Sequence, residues 1–117
     1  ALLTGNIARG AELKLSSAGL RGYFALGSYG SDHEERHHLS KIALQRARDM
    51  WNPLLPPEHT VVIGDTPRDV SCGLAVGSRT LAVATGSFTR SELAQAGADK
   101  VVTDLTETDK ILSYLAA

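Results

Sequence analysis

The amino-acid sequence predicts an α/β fold, built in three layers around a parallel sheet. Short apolar runs alternate with segments whose apolar residues recur every three or four positions, which is the pattern of repeated strand–helix units. The clearest strand is Thr60–Gly64, whose continuous β-branched run indicates burial on both faces. With 117 residues, 43% of them hydrophobic, the chain has enough apolar material for a core, and we expect one domain over residues 1–117.

The first half of the chain predicts a strand, a helix and a second strand. Ala1–Thr4 has the composition of a strand end, and apolar residues at helical spacing predict a helix over Ile7–Ala18 that ends at Gly19. Tyr23–Leu26 is predicted as the second strand, and the Gly- and Ser-rich segment Gly27–Asp32 as a loop.

A longer helix follows, with Ser31 or Asp32 as its N-cap and an apolar face that runs to Met50. Beyond the Thr60–Gly64 strand, Pro67 marks the first turn of a helix that reaches Val76. The remaining predicted elements are a strand at Thr80–Ala84, a helix at Ser91–Ala96, a strand at Val101–Val102 and a helix at Thr108–Leu115.

Composition excludes several classes of partner. The chain has 12 Lys and Arg against 13 Asp and Glu, a net charge of −1, which gives no basic surface for nucleic acid or for an anionic membrane. No apolar run approaches the roughly 18 residues that cross a bilayer. Its single cysteine, Cys72, is interpreted as a buried structural thiol and fits a reducing compartment, so we expect a cytoplasmic protein.

The segment Gly64–Asp69 carries the strongest chemical signal, because it follows the clearest strand and opens a helix. Sites in open parallel sheets lie at the carboxyl ends of the strands, which places Asp65 at the edge of such a site. Asp69 lies one helical turn further, so both carboxylates can face one point and suit a hard cation such as Mg²⁺. The alternative is structural: Asp65 caps the helix and Asp69 offsets the helix dipole.

The segment Val61–Val70 resembles the fourth motif of the haloacid dehalogenase superfamily, and is most similar to phosphoglycolate-phosphatase-like members. Leu2–Asn6 resembles the second motif of that family, while Arg79–Gly86 and Ala98–Val102 match its closing strands, so the resemblance covers essentially the whole chain. It implies a Rossmann-like three-layer core. It also implies a Mg²⁺-dependent phosphohydrolase that acts on a small phosphorylated metabolite, a phosphate monoester, through an aspartyl-phosphate.

The same resemblance implies roles for individual residues. Thr4 would donate its hydroxyl to the transferring phosphoryl group, and the backbone N–H groups of Gly5 and Asn6 would bind its oxygens. Asp65 would hold Mg²⁺ directly or through water, and Asp69 would support that metal site.

The third motif of the family usually supplies a Lys at the start of the helix before the fourth motif. Arg36 falls at the matching position in the first turn of the helix before the fourth motif, and we assign it as the phosphate clamp, with Lys41 as the other candidate. The alternative is a solvated arginine beside Glu34 and Glu35.

The first motif of the family, Asp-x-Asp, which supplies the nucleophile and the general acid/base, is absent. The seven aspartates are Asp32, Asp49, Asp65, Asp69, Asp99, Asp104 and Asp109, and none forms that pair. The cap domain is absent too, so the chain resembles only the C-terminal half of the family's core. We therefore expect a truncated, proteolysed or partly recorded protein that is inactive alone. The alternative is a non-catalytic module that binds phosphate and Mg²⁺.

The missing nucleophile strand has a consequence for the sheet, because in the family it lies between the other two strands that carry motifs. Leu2–Thr4 is then expected to pair directly with Val61–Ile63, or the slot between them is filled by an N-terminal segment or a second copy of the chain. Either arrangement places both strands in one sheet.

Two further patterns carry weaker alternatives. His33-Glu34-Glu35-Arg36-His37 matches the His-Glu-x-x-His signature of zinc peptidases, although its charged setting is more typical of a polar helix start. Trp51, with Met50, Leu54 and Leu55, is interpreted as covering a helix end and the sheet edge; the alternative is a patch that binds a partner.

Overall fold

The computed structural model describes residues 2–3, 13–14, 16–17, 19, 22, 27–28 and 36–116. The chain divides into two compact units, Ala1–Leu55 and Pro56–Ala117. Within the described ranges, no helix has both the length and the apolar character needed to cross a membrane. A single domain over residues 1–117 stays a prediction.

In the first unit, two short parallel strands pack against one long helix. Strand β1 (Leu2–Leu3) pairs with β2 (Gly27–Ser28), and both contact helix α1 (Arg36–Met50). The Arg46 guanidinium donates a 2.6 Å hydrogen bond from Nη1 to the carbonyl oxygen of Gly27. This bond ties the middle of α1 to strand β2.

Strand β2 lies in the segment that was predicted to be a loop, so that prediction is wrong. Parallel pairing uses only backbone N–H and C=O groups, which Gly27 and Ser28 supply although their side chains carry no strand signal. The strand predicted at Tyr23–Leu26 and the N-cap of α1 lie outside the described residues. The described part of the predicted first helix, residues 13–14 and 16–17, is helical, and Gly19 follows with a φ of 71° as expected for a residue that ends a helix.

The side chains that follow α1 are exposed. Met50, Trp51 and Leu54 are 54%, 59% and 85% accessible to solvent, so the expectation that they cover a helix end and the sheet edge is wrong for these three, whereas Leu55 is half-buried. A turn keeps this segment at the surface, because the Leu54 N–H donates to Oδ1 of Asn52 at 2.9 Å. Whether these residues bind a partner stays a prediction.

The second unit is a three-stranded parallel sheet with strands joined by helices. Its strands are β3 (Val61–Gly64), β4 (Arg79–Val83) and β5 (Lys100–Val102), with β4 in the centre. Its helices are α2 (Pro67–Val76), α3 (Arg90–Gln95) and α4 (Thr108–Ala116), and a short 3₁₀ turn, Pro57–His59, precedes β3. Each of these strands and α-helices falls within two residues of its predicted bounds, whereas the 3₁₀ turn was not predicted.

Alternating residues of β4 build the core on both sides of the sheet, because successive side chains of a strand point to opposite faces. Leu81 and Val83 pack with Ile111 of α4 on one face. Ala82 packs on the other face with Val70 of α2 and Leu93 of α3. Helices therefore cover both faces of the sheet, and the predicted three-layer arrangement is confirmed for this unit. Cys72 of α2 is buried, also as predicted.

The predicted direct pairing of Leu2–Thr4 with Val61–Ile63 is wrong for the described strands, because β1 pairs with β2 and β3 pairs with β4. The alternative, a slot filled by an N-terminal segment or a second copy of the chain, stays a prediction. Among the described strands β3 lies at the edge of its sheet, and its Ile63 side chain is 49% exposed rather than buried on both faces. The strand that lies between these two in the family is the one that carries Asp-x-Asp, and this sequence does not contain that motif.

Candidate active site

Asp65 lies at the carboxyl end of β3 with an exposed side chain. The chain turns there from strand into helix: Thr66 is the extended N-cap of α2, and Pro67, whose ring already holds a helical φ, is the first helical residue. Asp65 is therefore held between a strand and a capped helix, at the edge of the sheet where parallel α/β folds bind ligands.

Asp69 braces the turn that carries Asp65. Its Oδ2 accepts hydrogen bonds from the backbone N–H of Asp65 at 3.0 Å, from the backbone N–H of Thr66 at 3.1 Å and from the Thr66 hydroxyl at 3.0 Å. Thr66 Oγ1 in turn accepts from the Asp69 N–H at 3.3 Å, which completes a capping box. The N-cap is thus Thr66 and not Asp65, which leaves the Asp65 carboxylate outside the cap.

Two glycines make room for the two carboxylates. A Cβ added to Gly64 would lie 2.2 Å from Cγ of Asp69, and one added to Gly86 would lie 2.6 Å from Oδ2 of Asp65. The structure therefore brings Asp65, Asp69, the end of β3 and the loop after β4 together. The sequence interpretation missed both glycine contacts and the role of Thr66, although Thr66-Pro67-Arg68-Asp69 fits the capping-box pattern.

At the same edge of the sheet, the first residue of α3 is hydrogen-bonded to the loop after β5. Arg90 Nη1 donates to Oγ1 of Thr103 at 2.7 Å, and the Thr103 N–H donates to Oε2 of Glu107 at 3.2 Å. That backbone hydrogen bond, together with a side-chain bond from Lys110, lowers the pKa of Glu107 below its ordinary value. Hydrogen bonds from the side chain and backbone of Thr106 lower the pKa of Asp104 in the same way. Both acids are therefore held in the ionised form.

Asp99, which precedes β5, has a structural contact rather than a place at this edge. Its carboxylate accepts from the Thr80 N–H at 2.8 Å and from the Thr80 hydroxyl at 3.3 Å, and the Asp99 N–H donates back to Thr80 Oγ1 at 2.9 Å. These bonds join the beginning of β4 to the beginning of β5.

The remaining predicted site residues are not brought to Asp65 by any described contact. Arg36 is the first residue of α1, and the structure does not describe its side chain or that of His37. Lys41 is exposed on the same helix. The predicted residues that lie outside the described ranges are Thr4, Gly5, Asn6, His33, Glu34 and Glu35. Among described side chains, no group of three or more His, Cys, Asp or Glu is placed to hold a metal ion.

A family profile described as HAD-hydrolase-like matches residues 35–108, which include α1, the Asp65 turn and all three strands of the second unit. The chain belongs to this hydrolase family. The capped turn after β3 lies within Val61–Val70, the segment that resembles the fourth motif of this family. No curated protein matches the chain.

Solved structures share the HAD fold with this chain. A candidate β-phosphoglucomutase from Thermotoga maritima aligns with a TM-score of 0.80 and 21% identity over 97% of this chain and 52% of its own. A protein predicted to be a phosphatase from Clostridium acetobutylicum aligns with 0.80 and 22% identity, over 96% and 51%. A haloacid dehalogenase-like protein of unknown function from Agrobacterium tumefaciens aligns with 0.74 and 21% identity, over 97% and 53%. The chain thus spans about half the length of the structures it matches.

Proposed function

We propose that this HAD chain is the C-terminal part of a Mg²⁺-dependent phosphohydrolase that acts on a small phosphate monoester through an aspartyl-phosphate. The observation that carries the proposal is the Asp65 turn. Its carboxylate is exposed at the carboxyl end of β3, and the capping box of α2 leaves it available to a ligand. Two of the matched structures are described as a phosphoglucomutase and a phosphatase, which favours phosphate as the substrate group.

The residues present fit a magnesium ion. Carboxylate oxygens are the ligands that Mg²⁺ takes from proteins, and it usually takes only one or two of them beside water and substrate phosphate. Because Gly86 has no side chain, the Asp65 carboxylate lies close to the loop backbone, and this contact leaves it less rotational freedom than its exposure alone would give. When bound, the ion offsets the negative charge of the phosphoryl group.

We assign the following roles to the residues of this chain. Asp65 binds the cation through its carboxylate. Asp69 keeps the turn in place through the N–H groups of Asp65 and Thr66, and so sets the direction of the Asp65 side chain. Carrying over the resemblance, we assign phosphoryl binding to the Thr4 hydroxyl, the N–H groups of Gly5 and Asn6, and a cation on α1, Arg36 or Lys41.

The nucleophile lies outside this sequence in our proposal. No Asp-x-Asp pair is present, and without a nucleophile these residues position and neutralise phosphate but do not transfer it. The extent of the match, about half of each solved structure, supports a longer protein. We propose that its N-terminal segment, or a second copy of the chain, completes the sheet. The low cysteine content further favours a cytoplasmic location.

The alternative function is a module that binds phosphate and Mg²⁺ without catalysis, and the missing Asp-x-Asp is the observation that favours it. The family match counts against a zinc peptidase, because it includes the Asp65 turn and the strands around it.

Hydrolysis of p-nitrophenyl phosphate in the presence of Mg²⁺ tests the proposal. The 117-residue chain is expected to show no turnover, and a protein extended upstream to include a strand that ends in Asp-x-Asp is expected to show turnover that Asp65→Asn abolishes. If the upstream coding sequence contains no such strand, the binding module is correct. Turnover by the 117-residue chain that disappears in Asp65→Asn would contradict our assignment of an external nucleophile.

A further inference from the structure

The loop between β4 and α3, residues 84–89, lies against the carboxylate of Asp65. A Cβ on Gly86 would be 2.6 Å from Oδ2 of Asp65, 3.3 Å from its Cγ and 3.7 Å from its Cβ. The first distance is far below the 3.5–4.0 Å at which non-bonded atoms attract. Only a residue without a side chain therefore leaves the carboxylate where it is.

Glycine at this position is required for space and not for backbone conformation. The described glycines with positive φ are Gly19, Gly77 and Gly97, and Gly86 is not one of them. No left-handed φ therefore requires a glycine at residue 86. The methyl group of an alanine there would conflict only with Asp65.

The conflict can be relieved cheaply by moving Asp65, because the conflicting atom is the end of an exposed side chain. The loop itself is braced at its far end by a capping box, in which the Thr89 N–H donates to Oε1 of Glu92 at 3.2 Å and the Glu92 N–H donates to the Thr89 hydroxyl at 3.1 Å. The side chain of Asp65 will therefore rotate before the loop moves.

Gly64 provides the opposite case. A Cβ there would lie 2.2 Å from Cγ and 2.3 Å from Cβ of Asp69, a side chain that α2 holds in its cap. Relief at this position requires that the capping box opens. Gly64→Ala is therefore expected to lower the stability of the chain, whereas Gly86→Ala is expected to change the orientation of the Asp65 carboxylate.

We propose that Gly86 is a positioning residue for Asp65: the absence of its side chain lets the loop after β4 confine the carboxylate to one orientation, and this confinement sets the affinity of the site for a divalent cation. The cation part of the proposal rests on the proposed function. The confinement itself does not, since it follows from the contact between Gly86 and Asp65 alone.

The test compares the wild-type chain with Gly86→Ala, Gly64→Ala and the control Gly22→Ala, where among the described atoms a Cβ would meet nothing within 4 Å. The first measurement, without metal, is the pair of Hα–Hβ scalar couplings of Asp65, which report its χ1 rotamer. We expect values of a single rotamer in the wild type and in Gly22→Ala, and different or averaged values in Gly86→Ala. Unchanged couplings in Gly86→Ala would overturn the proposal whether or not the site binds metal.

The second measurement is a titration with Mn²⁺, followed through paramagnetic broadening of the amide signals around Asp65. We expect the affinity to fall about 10-fold or more in Gly86→Ala, as for other residues that orient a metal ligand, with a Tm close to that of Gly22→Ala. Gly64→Ala should instead show a clear drop in Tm. Equal Mn²⁺ affinity in Gly86→Ala and wild type would overturn the link from confinement to affinity. No broadening near Asp65 in the wild type would overturn the proposed metal site, and with it that link, while the couplings still decide whether Gly86 confines the carboxylate.

Discussion

Replacing Asp69 by alanine removes the acceptor that holds the Asp65 turn. Oδ2 of Asp69 accepts three hydrogen bonds, two from backbone N–H groups and one from a hydroxyl. The variant leaves the N–H groups of Asp65 and Thr66 without this partner and removes a negative charge from the N-terminus of α2, where the helix dipole favours it. Asp69→Asn keeps an acceptor oxygen in the same place and loses only the charge.

The size of the effect follows from these contacts. Hydrogen bonds to a charged group contribute about 1.5–3 kcal/mol each when buried, but this turn is only partly buried, so water recovers much of that loss. Helix caps measured as a whole contribute about 0.5–2 kcal/mol. We therefore expect Asp69→Ala to lower the free energy of unfolding by about 2 kcal/mol, and Asp69→Asn by less than half of that. For a domain of this size, 2 kcal/mol corresponds to a decrease in Tm of about 10 °C.

Urea unfolding measures this loss, with an unchanged m-value as the check that the unfolded state is the same. Glu92→Ala is the matched control, because Glu92 completes an identical capping box with Thr89 on the shorter, more exposed helix α3. Its cost should be smaller, since α3 has six residues and α2 has ten. If Asp69→Ala lost no more stability than Glu92→Ala, or if Asp69→Asn were as damaging as alanine, Asp69 would not brace the turn as we describe.

Substitutions at three other residues test the packing and the charges around the sheet. Asp99→Ala, which removes the acceptor for the Thr80 N–H at 2.8 Å, should destabilise the chain to urea by about 1–3 kcal/mol, and Asp99→Asn by less; equal losses would argue against a role for the charge. Burial raises the pKa of Tyr114 above its ordinary value of 10.0. The stability linked to this group is therefore complete below pH 10.0 and is lost as the pH rises through the raised pKa. Tyr114→Phe should not show this alkaline loss when urea midpoints are measured from about pH 8 to 11. The N–H of Thr103 lowers the pKa of Glu107 below its ordinary value of 4.5. The stability contributed by the ionised carboxylate is therefore present above pH 4.5 and is lost as the pH falls through the lowered pKa. In Glu107→Gln the decline of Tm from about pH 6 to 3 should be shallower than in the wild type.

The second unit was predictable from sequence because its signals are local. Pro67 and Gly77 mark the ends of α2 within the chain itself, and Gly77 has the left-handed φ of 75° that a helix C-cap glycine adopts. The apolar run Leu81–Val83 identifies a strand, and alternation along it then gives which side chains lie on each face. Neighbouring residues determine each of these features, so no knowledge of the rest of the fold is needed.

Features that depend on distant residues were not predictable in the same way. The exposure of Ile63 depends on β3 lying at the edge of the sheet, and a continuous β-branched run looks alike in an edge strand and a central one. Gly86 contacts Asp65 only because β3 and β4 pair in a register that places Gly64 opposite Ala82, and no short-range pattern encodes that register. Strand β2 at Gly27–Ser28 is similar, since its pairing with β1 uses backbone atoms alone.

The same difference between local and long-range signals applies to the candidate site. Asp65 and Asp69 were found from their spacing after a strand, and the structure brings them together, with a hydrogen bond from the N–H of Asp65 to Oδ2 of Asp69. Spacing could not assign their different tasks, because both are carboxylates one turn apart. Only the capping box distinguishes them: the Asp69 carboxylate is engaged with the turn, and the Asp65 carboxylate lies outside the cap.

The central claim is that Asp65 binds a divalent cation, and the most direct test is the Tm of the wild-type chain and of Asp65→Asn as Mg²⁺ is added. A ligand at ten times its dissociation constant stabilises the folded state by about 1.4 kcal/mol, which raises the Tm of a small domain by several degrees. Asp109→Asn is the control, an exposed acid in the first turn of α4. We predict that Mg²⁺ raises the Tm of the wild type and of Asp109→Asn, and that Asp65→Asn does not respond. An equal rise in Asp65→Asn would contradict the site.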